Sequence, residues 1–399
     1  MRGVFNKFLL MFFIFADVVS DNSLFKFFTT QSKLIGTLLL ILMQLFQIVG
    51  APIQAAFSDA YRRKKTLFWS LFISFFSFFI LLIAKSLGVF LIGFLFIATF
   101  LKGSAGNNTP LVWSTLTDAQ EKNLRFNLAL LTGSYAFGYM LLAFLNKTAI
   151  KNPISSFWLL SDVASTVLFF ISAGLCMFYI CDREDGNKKV QEKSLSSIGT
   201  ICFECRALWK DFMRSATRWG LAAYFFWATS QYSVLILLTD IQIKYASTVL
   251  WMMFGYLVGI AMLWVFRKFE DEKVIRIAFV VTISALSLYF IIIPFISNKD
   301  LTLSICYFFY TLSNAFLSPT IFSLFSKERE IHEQGKGFGL IVAADSAGFL
   351  VGGAIGSVLS SNLNHVIWFS FCIFLVSLYP YLLYEKKRKD NLRIKELNK

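Results

Sequence analysis

Twelve apolar runs, each about 20 residues long and each closed by charges or turn-forming residues, dominate this 399-residue chain. They lie near residues 6–28, 34–57, 67–84, 89–115, 126–145, 155–180, 217–239, 246–266, 275–296, 301–325, 337–360 and 364–384. In lipid, a run of that length must satisfy its backbone polar groups internally, which a helix does and an open strand does not. The alternation of polar and apolar residues that marks a barrel is missing. Only 16% of the residues are charged and 57% are hydrophobic, which leaves too little polar material to wet the surface of a soluble globule. The expected fold class is an all-α membrane protein with twelve transmembrane helices.

The formal charge of +14 would suggest a nucleic-acid partner in a soluble protein, but here it follows topology and none is expected. With both termini on one side, the opposite side receives Lys26, Lys33, Lys85, Lys147, Lys151, Lys244 and Lys299, and Lys102 falls inside a span. All other lysines and arginines share the side of the termini, which the positive-inside rule makes cytoplasmic. An odd number of spans would throw the basic tail Lys386-Lys387-Arg388-Lys389 to the other side. A bacterial inner membrane is the expected location.

One long charged connection divides the spans six and six. The expected units are an N-terminal six-helix bundle (1–181), a cytoplasmic central loop (182–216), a C-terminal six-helix bundle (217–384) and a basic tail (385–399). Within the loop, Ile198, Ile201, Cys202, Cys205, Leu208 and Trp209 follow helical spacing, so an interfacial helix is expected. The pair Cys202 and Cys205 has no second ligand pair, and the two histidines, His332 and His365, sit in loops, so no metal or cofactor is expected. A shift of about 209 residues carries Gly50 onto Gly259, Pro110 onto Pro319 and Ser114 onto Ser323, the mark of two parallel repeats able to rock about a central site.

The sharpest local pattern is Ala51-Pro52 followed by Asp59-Ala60-Tyr61-Arg62-Arg63-Lys64-Lys65 between the second and third spans. An acid at a helix end with basic residues just after it can form an ion-pair latch at a partly desolvated membrane face. This stretch resembles the inner-loop signature of the major facilitator superfamily, and the twelve-span layout, central loop and repeat extend the likeness over nearly the whole chain. The resemblance implies the major facilitator fold and an inner gate built from Asp59, Arg62, Arg63 and Lys64. Ala55 or Ala56 stands where that signature has glycine, and the second-half equivalent, Arg267-Lys268-Phe269-Glu270-Asp271, is degraded, so the gate is expected in the N-terminal half.

A narrower likeness is to the lysophospholipid transporter family. It rests on Ser20-Asp21-Asn22-Ser23-Leu24-Phe25-Lys26, on Pro52, Asp59, Arg63, Lys64 and Lys65, and on Leu208-Trp209 and Phe226-Trp227. It implies an amphiphilic, lysophospholipid-like substrate.

Ionisable groups inside a span cost roughly 2.5–3.5 kcal/mol and so face water, protein or substrate. Asp17 and Asp21 are one helical turn apart, so repulsion should hold a proton on one of them. Lys102 stands mid-span, placed to pair with Asp17 or Asp21 or to bind an anion. Asn22 can orient a polar headgroup, and Asp345, among glycines in the eleventh span, is placed for a cavity wall. Asp162 is a further lone acid. Asp17, Asp21, Asn22, Lys102 and Asp345 form the candidate substrate or proton site. Trp113, Tyr135, Tyr139, Trp227, Tyr232, Tyr256, Tyr307 and Tyr310 could line an amphiphile-binding cavity.

Secondary active transport by alternating access follows as the expected function, proton-coupled, with a small metabolite or amphiphile as substrate, membrane lipids as surroundings and a monomer as the working unit. A lipid-modifying membrane enzyme would need a clustered nucleophile, acid–base pair or metal motif, and none is found. A drug or metabolite efflux antiporter is the alternative within transport, although Gly133 and Gly138 lack the following proline usual in such antiporters.

Overall fold

A computed structural model describes residues 2–30, 33–60, 62–87, 91–105, 108–118, 124–134, 137–138, 156–180, 206–242 (apart from 207, 211 and 214), 246–292, 299–329, 333–359 and 363–397. The side chains of 21–30 and of several other helix ends, 156–162 among them, fall outside this description. The elements are helices α1 (Arg2–Thr30), α2 (Lys33–Ala60), α3 (Arg63–Leu87), α4 (Leu91–Ser104), α5 (Thr109–Asp118), α6 (124–134), α7 (Ser156–Tyr179), α8 (Ser215–Gln242), α9 (Ala246–Val265), α10 (Asp271–Ile292), α11 (Lys299–Lys327), α12 (Gln334–Leu359) and α13 (Leu363–Leu397). A 3-10 turn, Phe266–Lys268, links α9 to α10. Among the described residues there is no strand. Five of these stretches are long and apolar enough on their own to cross a membrane: Thr37–Ala60, Arg63–Ile83, Leu250–Lys268, Gln334–Leu359 and His365–Asn391.

Among the described residues, α1–α13 fit a twelve-helix fold because α4 and α5 are two parts of one span. The fourth run was expected to be continuous, but it breaks around 105–108, and Thr109-Pro110 opens the second part. Proline suits that place because the first turn of a helix has no use for its missing N–H. Its counterpart Pro319 sits inside the unbroken α11. The last helix departs from expectation in the other direction, running through the basic tail to Leu397. Tail residue Arg388 is held there in ion pairs with Glu272 and Glu328, and Tyr384 donates to Glu328 at 2.6 Å.

Packing follows the small residues. Without water to drive apolar faces together, helices in lipid gain most where backbones approach closely. A Cβ on Gly50 would stand 2.9 Å from the carbonyl oxygen of Gly103, and one on Gly259 would stand 3.2 Å from that of Leu312. Both glycines and both carbonyls are 209 residues apart, so the two halves repeat one helix crossing. Within the second half, Gly348, Gly352 and Gly356 of α12 bring it against Phe225, Thr229 and Ser233 of α8.

Between the halves, α12 lies against α2 and α5. A Cβ on Gly339 would meet Ala55 Cβ and Pro52 Cα, each at 2.7 Å, and Gly133 of α6 faces Ile260 of α9. Trp113 of α5 stacks on Phe322 of α11 with ring centroids 4.1 Å apart, and Phe338 of α12 lies 5.8 Å from it. These aromatic groups close the seam between the halves beneath the middle of the spans. In the stretch 208–213, near the end of the central connection, Leu208 is buried while Trp209, Phe212 and Met213 are exposed. Cys202 and Cys205 lie outside the described residues.

Candidate functional site

Three clusters of polar side chains occupy this framework. The first is sealed inside the N-terminal half. Asp17 of α1 pairs with Lys102 of α4, Oδ1 to Nζ at 2.5 Å, and the side chains of both are buried. Asn108 donates its backbone N–H to Asp17 Oδ2 at 2.8 Å and its side-chain amide to Oδ1 at 2.9 Å. The carboxylate thereby caps the N-terminal end of α5, where the helix dipole favours negative charge. Lys102 also lies over the Phe169 ring, 5.0 Å from its centroid, an attraction between ammonium and ring face. The helix break is therefore tied to an ion pair, and each accounts for the other. Asp17 is one of the two partners expected for Lys102. The side chains of Asp21 and Asn22, and that of Asp162, lie outside the described residues, as do Tyr135 and Tyr139.

A second cluster joins the halves at the end carrying the basic loops. Asp59, the next-to-last residue of α2, accepts the backbone N–H groups of Gly335 at 2.9 Å and Lys336 at 2.7 Å, the first turn of α12 in the other half. Arg63 meets the same carboxylate at 2.5 Å and Asp118 at 2.6 Å, and donates to Ser58 at 2.7 Å. A helix N-terminus offers unpaired N–H groups and partial positive charge, so a carboxylate docked there from a second helix is a charge-assisted tie. Glycine is required opposite it. A Cβ on Gly335 would stand 2.5 Å from the Ala55 carbonyl oxygen and 2.7 Å from Asp59 Oδ1. The glycine expected near Ala55 in α2 is thus supplied by α12, at Gly335 and Gly339. Of the four expected gate residues, Asp59 and Arg63 meet; Arg62 is exposed and Lys64 is half-buried.

Beside this tie runs another that sequence reasoning missed. Arg125, at the start of α6, donates to Asp271 at 2.9 Å and to the carbonyls of Phe266 and Phe269 at 2.6 and 3.1 Å. Asp271 also receives Lys327 at 2.6 Å and Ser323 at 3.1 Å. The segment Arg267–Asp271 looked degraded because its charges differ from those of the first half. Position for position, Arg63 and Asp271 each open the third helix of a half, while Asp118 and Lys327 close the fourth, with polarity inverted. Comparing places rather than charge signs would have found it.

The third cluster centres on Asp345, in the middle of α12 and half-buried. Tyr232 donates to its Oδ2 at 2.8 Å and Tyr224 to its Oδ1 at 3.3 Å. Next to it, Ser346 reaches Gln47 of the first half at 3.3 Å, which puts Asp345 at the junction of the two halves. Tyr224 continues into Trp227 and into Phe322 of the aromatic seam, at 4.9 and 5.7 Å between centroids.

The profile of one family, the Major Facilitator Superfamily, matches residues 5–330. The chain belongs to that superfamily. No curated protein matches it significantly in sequence. Solved structures of major facilitator transporters share the fold at low identity. The human organic anion transporter MFSD10 (TETRAN) has a TM-score of 0.70 and 12% identity, covering 95% of this chain and 98% of that one. The transporter FucP in its outward conformation, the E. coli fucose:proton symporter, gives 0.68 and 16%, with 96% and 99% covered. A bacterial homologue of the iron transporter ferroportin in the outward-facing state gives 0.69 and 12%, with the same coverage. The chain is accordingly a secondary transporter of the membrane and not an enzyme. The three clusters are features of a major facilitator carrier: a clamped helix break within one half, paired ties at one end, and an acid at the junction.

Proposed function

We propose that the protein is a proton-coupled carrier of a small metabolite or amphiphile, lysophospholipid-like substrates included, working by alternating access as a monomer in a bacterial inner membrane. Residues 1–181 and 217–384 act as the rocking units, and the basic ends of the helices face the cytoplasm. Asp59 and Arg63, with Arg62 and Lys64 in the same loop, form the inner gate. The carbonyl-and-carboxylate tie of Arg125 adds to it.

One observation carries this reading: a carboxylate of one half is docked on a helix N-terminus of the other, at one end of the bundle only among the described residues. Such a contact holds that end shut and has to break for a central site to open there. Its strength is limited to a few charge-assisted hydrogen bonds, about 1.5–3 kcal/mol each, which suits a reversible step. Asp345 is the substrate-side acid at the junction, and Asp21 and Asn22 of α1 complete the candidate site. The Asp17–Lys102 pair is the coupling element: a proton on Asp17 would cancel the charge that holds Lys102 and α5 in place.

Proteoliposomes provide the test. A panel of metabolites and lysolipids at two pH values should reveal a substrate whose uptake saturates and responds to a proton gradient without covalent change. Asp17→Asn, Asp345→Asn and Lys102→Met should each reduce flux in protein that still folds. Wild-type flux in all three would remove these residues from the mechanism.

A further inference from the structure

Charge compensation differs between the two halves, and the difference bears on the substrate. In the first half, Asp17 has Lys102 at 2.5 Å and two further donors from Asn108. In the second, Asp345 has two neutral tyrosine hydroxyls and, among the described residues, no cation. Both acids lie deep in the spans, where an ionised carboxylate is tolerated only with a partner or with access to a polar cavity. Asp345 keeps partial exposure at the junction of the halves, whereas Asp17 is closed in.

The surroundings of Asp345 are aromatic on the side of its own half. Tyr224 and Tyr232 turn their hydroxyls to it, and Trp227 and Phe349 lie against those two rings at 4.9 and 4.8 Å. Ring faces carry negative potential, and rings grouped about a carboxylate attract a positive charge carried on an apolar body. The same surroundings repel an anion, since the tyrosine hydroxyls are already spent on the carboxylate.

From this arrangement we infer that the substrate bound at Asp345 is an organic cation, an amine or quaternary ammonium type of molecule whose positive centre replaces the missing counter-ion. The inference rests on the proposed central site and names its substrate class.

Paired ions of one shape and opposite charge test it directly. The purified full chain in nanodiscs is titrated with tetraphenylphosphonium and, separately, with tetraphenylborate, using empty nanodiscs as the background. Saturable binding of the cation and none of the anion is expected. Asp345→Asn should weaken cation binding at least tenfold, and Asp345→Glu should recover part of it. Tyr232→Phe keeps the ring and should lose less cation affinity than Tyr232→Leu; this pair decides the matter if the Asp345 variants fail to fold. Equal binding of the two ions, no saturable cation binding, or an unchanged affinity in Asp345→Asn with equal behaviour of the two Tyr232 variants would overturn the inference. Accessibility of single cysteines at the two ends, measured without ligand, separates the outcomes. Alternating exposure with no cation preference sinks only the substrate class, whereas absent alternation sinks the carrier mechanism beneath it.

Discussion

Replacing Asp59 by asparagine keeps the side chain's shape and removes its charge, which isolates the electrostatic part of the tie. The carboxylate now accepts from Gly335 and Lys336 with one oxygen each and pairs with Arg63. The amide has a single oxygen, so one of the two N–H groups would face an NH2 group instead of an acceptor. One hydrogen bond to a charged group is worth about 1.5–3 kcal/mol, and the charge–dipole attraction at the helix end adds about 0.3–1 kcal/mol. Arg63 still holds Asp118, so the loss on that side is small. When the halves separate, water takes over both N–H groups, so the cost falls on the closed end alone. The sum of about 2–4 kcal/mol should raise the open population at the basic end roughly 20- to 900-fold relative to the closed one. Spin labels on Lys65→Cys and Lys268→Cys, both at exposed sites on opposite halves, would report the change as a longer distance in a cysteine-free background. An unchanged distance distribution for Asp59→Asn would refute the tie as a determinant of the conformational balance.

Gly335→Ala should act in the same direction without touching any charge, because the new Cβ would displace Ala55 or the Asp59 carboxylate; a label distance equal to that of wild type would argue against the crossing. Lys102→Met strands a buried carboxylate and should cost about 3–5 kcal/mol of stability, with part regained in the double variant Asp17→Asn, Lys102→Met; thermal unfolding in detergent checks both steps. Arg125→Ala should cost the closed basic end about 2–5 kcal/mol, read by the same label pair, since Asp271 keeps only Lys327 and Ser323. Burial raises the pKa of Glu328 above its ordinary value, more than Arg388 and the Tyr384 hydrogen bond lower it. The folded protein therefore binds this proton more tightly than the unfolded chain, so the stabilising contribution is present at low pH and lost as pH rises through the folded pKa. Glu328→Gln should remove that dependence, visible in the difference between the two melting temperatures across pH 4–8; parallel curves would exclude it.

Much of the fold was legible because lipid imposes a single rule on every span: length, dryness and flanking charge determine each element with no knowledge of its neighbours. The break in the fourth span was not legible. Lys102-Gly103-Ser104-Ala105-Gly106 reads as a plain continuation, and what stops the helix near Asn108 is a carboxylate 91 residues earlier in the chain. Pairing of Lys102 could be foreseen because a buried ammonium requires a partner, but the choice of Asp17 came from tertiary placement. The tail's continuation as helix was equally hidden, since a run of lysines and arginines looks like solvated chain until the acids at 272 and 328 are placed beside it. At the gate, the acid and base of one loop were evident, whereas the donor of the tie is a backbone end 276 residues away, which no side-chain pattern announces.

The two ties also differ in what they ask of the chain when the halves part. Asp59 holds backbone N–H groups of the opposite half, and once released it keeps Arg63 from its own half as a counter-ion. Asp271 holds a side-chain guanidinium of the opposite half, and once released it keeps Lys327 and Ser323. In both cases the acid that crosses the seam has a permanent basic partner on its own side, so opening the basic end never leaves a bare carboxylate near lipid. That arrangement lowers the penalty of separation from the several kcal/mol of an orphaned buried charge toward the cost of the crossing bonds alone. Inverting polarity between the repeats adds selectivity: the acid end of α2 meets the positive end of α12, and the cation at the start of α6 meets carbonyls near the negative end of α9, so each half offers the other the sign its own partner lacks.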